Sequence, residues 1–244
     1  MIKGLELLST LIGRKVNSEM RAGHCVACLD HRAINGLCDG CRADLPVNRW
    51  RCQRCALPLA IPSGTLTCGE CMRTPPTFTR TLAPWRYQYP VDAMIGRYKY
   101  RGQRKFARPL VAGLGDYLEN HLRTCPESVP ELIIPAPMHR RRRRKRGFNQ
   151  ADDIAEALSR RLAIPWCART VRRSRHARPQ RDLGRAQRLA NLQGVFTVTR
   201  PLPLRIAIVD DVITTGATVR SLTDALRDAG AEDVQVWALA RTPG

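Results

Sequence analysis

The hydrophobic pattern is clearest near the carboxy terminus. Ile206, Ala207, Ile208 and Val209 form an unbroken apolar run bounded by Arg205 and Asp210. A short run of this kind predicts a strand buried on both faces, as in a parallel sheet. Asp210 and Asp211 are expected to end it, and Thr214 to Thr218 reads as a small-residue turn. Val219, Leu222, Leu226 and Ala229 then recur at helical spacing, with Gly230 as the stop. Val234 to Ala240 reads as the next strand. Upstream, Leu132 to Ile134 predicts a strand, and Ile154, Leu158 and Leu162 line a helix from about Gln150 to Leu162. This order predicts an α/β fold with a parallel sheet flanked by helices.

At the amino terminus, Ile2, Leu5, Leu8 and Ile12 also recur at helical spacing, interrupted by Lys3, Glu6, Thr10 and Arg14. An amphipathic helix over residues 1–20, docked on its own protein, fits this better than a signal peptide or a membrane anchor. No apolar stretch reaches the length of a transmembrane helix, so the expectation is a cytoplasmic protein that is not integral to the membrane.

Composition sharpens the picture. The 244 residues, 43% of them hydrophobic, suffice for a packed core in one good-sized domain or two unequal ones. Lys and Arg number 41 against 21 Asp and Glu, a net charge of +20. That balance points to nucleic acid, phosphate-rich small molecules or an anionic surface as partners.

Eight of the ten cysteines form four Cys-x-x-Cys pairs: Cys25 with Cys28, Cys38 with Cys41, Cys52 with Cys55, and Cys68 with Cys71. A tight turn lets two thiolates face one ion, and two turns complete a tetrahedral four-sulfur shell that suits zinc. Sequential pairing gives two ribbons and two zincs; a cross-braced pairing, first with third, has the same signature. A closed four-cysteine shell leaves no open position, so the zinc is expected to be structural. His24 and His31 are read as bystanders, and Cys125 and Cys167 as ordinary thiols. Thr74-Pro75-Pro76-Thr77 interrupts regular structure. The expected division is an N-terminal helix at 1–20, a small double zinc ribbon at 21–74 and an α/β domain at 77–244.

The stretch after Val209 carries the chemistry. Backbone amides of Thr214, Thr215, Gly216, Ala217 and Thr218 can converge on a phosphate where the loop meets a helix N-terminus. Asp210 and Asp211, one loop away, are suited to accept hydrogen bonds from vicinal hydroxyls, as on a ribose. The plainer reading is a surface acidic pair capping a helix. No Gly-x-x-x-x-Gly-Lys P-loop is present, and Gly113-Leu114-Gly115 lacks the third glycine and the strand of a dinucleotide fingerprint.

Apolar strand, Asp-Asp and Thr-Thr-Gly-Ala-Thr together closely resemble the phosphoribosyl pyrophosphate (PRPP) motif of type I phosphoribosyltransferases. The resemblance implies that Asp210 and Asp211 hold the ribose hydroxyls, that the Thr214–Thr218 loop holds the 5′-phosphate, and that magnesium accompanies PRPP. Further blocks resemble the ComF family of competence-associated proteins. They are Ile133-Ile-Pro-Ala-Pro137, Arg146-Gly-Phe-Asn-Gln150, Tyr98-Lys-Tyr-Arg-Gly102 and the stretch holding Gln180, Arg188, Asn191 and Gly194-Val-Phe196. That family also places a cysteine-rich double zinc ribbon ahead of a phosphoribosyltransferase-like domain.

Three basic segments remain. Residues Arg140 to Arg146 are seven consecutive cations between a strand and a helix. The superfamily resemblance places a pyrophosphate-binding loop in this part of the fold, with Arg146, Asn149 and Lys99 as the candidate contacts; the competing reading is a solvated charge run. Arg169 to Arg188 has few apolar anchors and by resemblance is the loop that closes over PRPP. Arg97 to Arg108 holds or follows Tyr87, Tyr89, Tyr98 and Tyr100, a pattern that fits either base stacking on single-stranded nucleic acid or tyrosines packing a strand against the core. Two functions follow. One is a phosphoribosyltransferase of unassigned acceptor in DNA uptake. The other is a non-enzymatic single-stranded DNA-binding competence factor, working with other competence proteins, whose PRPP site senses or is vestigial.

Overall fold

The computed structural model describes residues 23–60, 66–173 and 194–244. The expected N-terminal helix, Gln180, Arg188, Asn191 and most of the second basic segment lie outside these residues.

The main sheet is built from β1 (Arg80–Leu82), β2 (Trp85–Arg86), β3 (Leu132–Pro135), β6 (Arg205–Ile213) and β7 (Asp233–Arg241). β1 and β2 both pair with β7, β7 pairs with β6, and β6 with β3. Every one of these pairings is parallel. β4 (Val171–Arg173) and β5 (Phe196–Val198) form a separate antiparallel ribbon at the base of the second basic segment. The helices are α1 (Asp39–Ala43), α2 (Gly69–Arg73), α3 (Val91–Arg101), α4 (Arg104–Thr124), α5 (Arg140–Arg146), α6 (Gln150–Leu162) and α7 (Ala217–Asp228).

Alternation along the strands divides the core. Ile133, Ala207, Val209, Trp237 and Leu239 face the cluster built on α3, α4 and α6. Ile134, Ile206, Ile208, Val236 and Ala238 face the cluster that includes α7. Period-two alternation sends successive side chains to opposite faces, so a strand covered on both faces is apolar throughout. The two cysteine-rich segments join opposite clusters: Cys25 and Cys38 the first, Cys52, Cys55, Cys68 and Cys71 the second. They meet the sheet at its edge, where Val47 bridges Trp85. Covering an edge strand this way blocks pairing with foreign strands.

Several expectations change. β6 does not end at the acidic pair; it runs through Asp210 and Asp211 to Ile213, with β7 pairing beside it to the end. The seven cations at Arg140–Arg146 are a helix, capped by the His139 side chain and closed by Gly147 with φ +79°. The tyrosines of the third segment lie on a helix, not a strand, because Tyr98 is buried while Tyr100 is 75% exposed. Gly113 and Gly115 sit inside α4 for packing: a Cβ on Gly113 would stand 2.7 Å from the Trp85 ring, and one on Gly115 2.6 Å from Arg161.

Candidate functional site

Asp210 and Asp211 project near the carboxyl end of β6, where a doubly covered parallel sheet opens its ligand crevice. The backbone amide of Asp211 donates to Asp210 Oδ1 at 2.8 Å. Lys99, on the last turn of α3, places its Nζ 2.9 Å from Asp211 Oδ1, and both side chains are largely buried. Burial, and then the adjacent Asp211 charge, push the Asp210 carboxyl up to about 7, with Lys99 pulling the other way. A pair of carboxylates this close resists double ionisation until a cation or hydroxyl donors arrive.

The loop beyond turns into α7. Gly216 caps the helix in the left-handed region at φ +75°, a conformation that costs a glycine nothing. Thr214 is exposed, while Thr215, Gly216 and Thr218 are half-buried and Ala217 is buried. Amides at the start of a twelve-residue helix give this loop its positive end.

Arg241 holds the loop from behind. This buried arginine donates from Nη1 to the Ile213 carbonyl at 3.1 Å and to the Thr214 carbonyl, and from Nε to the Cys55 carbonyl at 3.1 Å. It therefore ties the second cysteine group to the start of the Thr214–Thr218 loop. Sequence reasoning missed it; the available signal was a lone cation ending the apolar strand that begins at Asp233. The linker is fastened to α7 as well, with Arg220 donating to Thr74 O and Arg227 to Thr77 O.

The Tyr98–Gly102 and Arg146–Gln150 blocks, separate in sequence, meet here. Tyr98 Oη donates to Asp153 Oδ2 at 3.1 Å, Arg104 pairs with the same carboxylate at 2.7 Å, and the Phe148 ring lies against both Tyr98 and Arg104. Arg146 stacks over Tyr100, with Cζ 5.3 Å from the ring centroid, and donates to Gln150 Oε1. Asn149 is buried, and its amide donates to Ala136 O and Asp152 Oδ1, fastening the turn after β3 to α6. Lys99 thus stands at the dyad, Arg146 at its own helix end, and Asn149 in the supporting frame.

Beside the end of β3 lies a cavity of about 680 Å³. Arg140, Arg143, Arg169, Arg172 and Arg173 line it, with Asp152 the one carboxylate among the lining residues. Arg173 is less basic than usual because of burial, then Arg142, with Asp210 opposing both. The cavity and the acidic dyad therefore share one electrostatic neighbourhood.

The cysteines resolve into sequential groups, Cys25, Cys28, Cys38, Cys41 and Cys52, Cys55, Cys68, Cys71, with the sulfurs of each group within 4.8 Å of one another. Cys28 and Cys38 Sγ stand 3.5 Å apart, and Cys55 and Cys68 Sγ 3.6 Å. Four sulfurs about 2.3 Å from one zinc would be roughly 3.8 Å apart, so both groups are compatible with structural zinc. The Cys52 thiol is pulled down to about 4 by the Cys55 thiol hydrogen bond, against burial, with backbone amides of Cys55, Cys68 and Arg54 helping. The second group is wholly buried, whereas Cys28 of the first is exposed. His24 and His31 stay outside both groups, their rings 4.4 Å apart.

No family model matches the chain. Adenine phosphoribosyltransferases of Leishmania tarentolae and Leishmania donovani overlay at TM-scores of 0.35 and 0.30, with 16% and 14% identity. These overlays cover 54% of this chain and 70% and 64% of theirs, and the fold assignment rests on the strand pairings above. Sequence relatives are nearer. "DNA utilization protein YhgH" of Salmonella typhimurium is 32% identical, covering 86% of this chain and 98% of that protein. "Competence protein ComFC" of Streptococcus pneumoniae is 26% identical, covering 65% and 67%. "Competence protein F" of Haemophilus influenzae is 36% identical over 225 residues, 91% of this chain and 96% of that protein. An identity of that size, spanning nearly the whole of both chains from the cysteine groups to the acidic dyad, places the chain in the competence protein F (ComF) family.

Proposed function

We propose that this chain is a PRPP-binding, phosphoribosyltransferase-like protein of the ComF type that acts on the cytoplasmic side in DNA uptake. The observation that carries the reading is the Asp210–Asp211 pair at the carboxyl end of β6, with Lys99 at 2.9 Å and a Gly216-capped helix next to it. Two close carboxylates are matched to vicinal ribose hydroxyls, and the Thr214–Thr218 amides to a 5′-phosphate. The competence and DNA-utilisation names of the relatives supply the DNA-uptake setting.

The residues also fit magnesium carried with PRPP, since Asp210 and Asp211 offer adjacent hard oxygen donors of the kind magnesium takes. Magnesium, when bound, would neutralise pyrophosphate. The chain's own part is positional. Asp210 and Asp211 orient the ribose, the loop fixes its phosphate, and the arginine-lined cavity stabilises the departing charge. In turnover a nucleophile bonds to the anomeric carbon as the carbon–oxygen bond to pyrophosphate breaks, and the electron pair leaves with pyrophosphate. In this division of labour residues 21–74 are a metal-bound support and 77–244 the ligand-binding part.

The net charge of +20 supports a second reading, a single-stranded DNA-binding competence factor that senses PRPP without consuming it. Calorimetric titration with magnesium-PRPP tests the shared claim. Loss of binding in Asp210→Ala/Asp211→Ala with the fold intact is expected, and unchanged affinity rejects the site. Pyrophosphate release with candidate acceptors and DNA then separates enzyme from sensor.

A further inference from the structure

A second cleft, of about 690 Å³, lies between the second cysteine segment and the β1–α4 corner of the sheet. Arg49, Arg51, Arg54, Arg80 and His121 line it, and no carboxylate does so among the described residues. Four arginines around one concavity repel one another, so the arrangement is stable only with counter-charge from solution or a ligand.

The site is built. Arg51 is fixed by donating to Asn48 O at 2.7 Å and to Tyr117 Oη at 2.6 Å, and its guanidinium lies over the Tyr117 ring. Arg80 Nη1 stands 3.3 Å from His121 Nε2. Thr81, only 3% exposed, lines the cleft, and its hydroxyl has no hydrogen-bond partner among the described residues. A buried hydroxyl is seldom left unmatched. His121 is held below its usual basicity by burial, then by Arg80 and Arg51, with Glu127 opposing. The nearby carboxylate of Asp233 is engaged by Thr79.

The cleft is separate from the phosphate loop. Arg80 pairs with Gln235 on β7, while the loop is gripped from Arg241 on the same strand. Six residues at about 3.3 Å each put Arg80 roughly 20 Å along the sheet from Arg241, while the Arg54 end of the cleft adjoins Cys55, whose carbonyl Arg241 holds. Arginine supplies planar paired donors matched to phosphate oxygens, and Tyr117 offers a ring face beside them.

From this geometry we infer that the Arg49–Arg51–Arg54–Arg80 cleft is a second phosphate-binding site, taking a ligand with more than one phosphate group. A nucleic-acid strand and a free polyphosphate share that chemistry, and the experiment separates them. Arg49 and Arg54 are exposed, so Arg49→Ser/Arg54→Ser leaves the fold in place. Full-length protein is titrated with a fluorescent twelve-nucleotide oligothymidylate and with inorganic tripolyphosphate, each across a salt series, in an Asp210→Asn/Asp211→Asn background to silence the dyad. We expect the double arginine variant to bind at least one probe tenfold or more weakly. If the strand is the ligand, its log–log salt slope should fall by about 1.4, two phosphate contacts at about 0.7 each. Loss confined to tripolyphosphate identifies a free polyphosphate. Thr81→Val is expected to weaken the same probe without lowering thermal stability, and the His121 ring resonances should shift on adding it. Unchanged affinity for both probes in the arginine variant overturns the site. Because the dyad is silenced throughout, that result is independent of whether the dyad binds PRPP.

Discussion

Lys99 stands 2.9 Å from Asp211, joining the last turn of α3 to the acidic end of β6 across the mouth of the crevice. The pair is mostly shielded from solvent, so its charge–charge attraction is screened less than at an open surface. It also sets a cation against the Asp210–Asp211 pair. Replacing Lys99 by Met takes away the cation that opposes the upward push on Asp210 and removes a positive charge from the ligand's path. Magnesium-PRPP affinity should fall tenfold or more in a calorimetric titration, with native circular dichroism retained.

Asp210 gives the site a pH response. Its folded value, raised to about 7, lies above the ordinary carboxylate value of about 3.9. The unfolded chain therefore releases this proton first, and the group's contribution to stability is lost as pH rises from about 4 through 7. Ligand binding runs the other way and strengthens as the dyad ionises. Thermal melts of Asp210→Asn should show a flatter pH profile than wild type in that window, and PRPP binding should be lost. A wild-type affinity that is constant from pH 5.5 to 8 contradicts this assignment.

Arg241 makes the phosphate loop depend on the second cysteine group. Arg241→Met strips hydrogen bonds from the Cys55, Ile213 and Thr214 carbonyls; Thr242 still donates to the latter two, so the buried Cys55 carbonyl is the one left unpaired, at about 1–3 kcal/mol. We expect a lower melting temperature together with weaker PRPP binding. A stable variant that binds normally would show that the tie is dispensable.

The two metal groups should also release their ions unequally. With Cys28 exposed and the second group wholly buried, a strong chelator should draw zinc in a fast and a slow phase of equal size. Cys28→Ser should remove the fast phase, and Cys55→Ser should additionally loosen the phosphate loop. A single phase would mean that the groups open together.

Gly113 tests packing apart from function. Gly113→Ala drives a methyl to 2.7 Å from the Trp85 ring, so either the indole or α4 must shift, at about 1–3 kcal/mol. Denaturant melts should register that loss while PRPP affinity holds.

Much of this molecule is legible from local pattern. The runs at Leu132, Ile206 and Val234 predict the central strands because burial on both faces demands apolar residues throughout. The helix at Gln150–Leu162 follows from its periodicity. The four Cys-x-x-Cys turns announce metal because both ligands of each knuckle lie within one turn. The Asp-Asp pair and the small-residue loop are contiguous too, so the motif stands out in the sequence by itself.

Spacing alone cannot distinguish sequential from cross-braced cysteines, since either completes four sulfurs; the fold decides by bringing 25–41 and 52–71 together separately and placing them on opposite sides of the sheet. Charge runs carry no periodic signal, so Arg140–Arg146 reads as loop until His139 and Gly147 cap it as a helix. Sequence by itself determined the parallel α/β frame and the metal-compatible cysteine pairs, because each is encoded by neighbours along the chain. Only the tertiary structure set Lys99 on Asp211, Arg241 between Cys55 and Thr214, and four arginines around one cleft, because those charges come from distant segments and acquire a shared purpose only when packing brings them within reach.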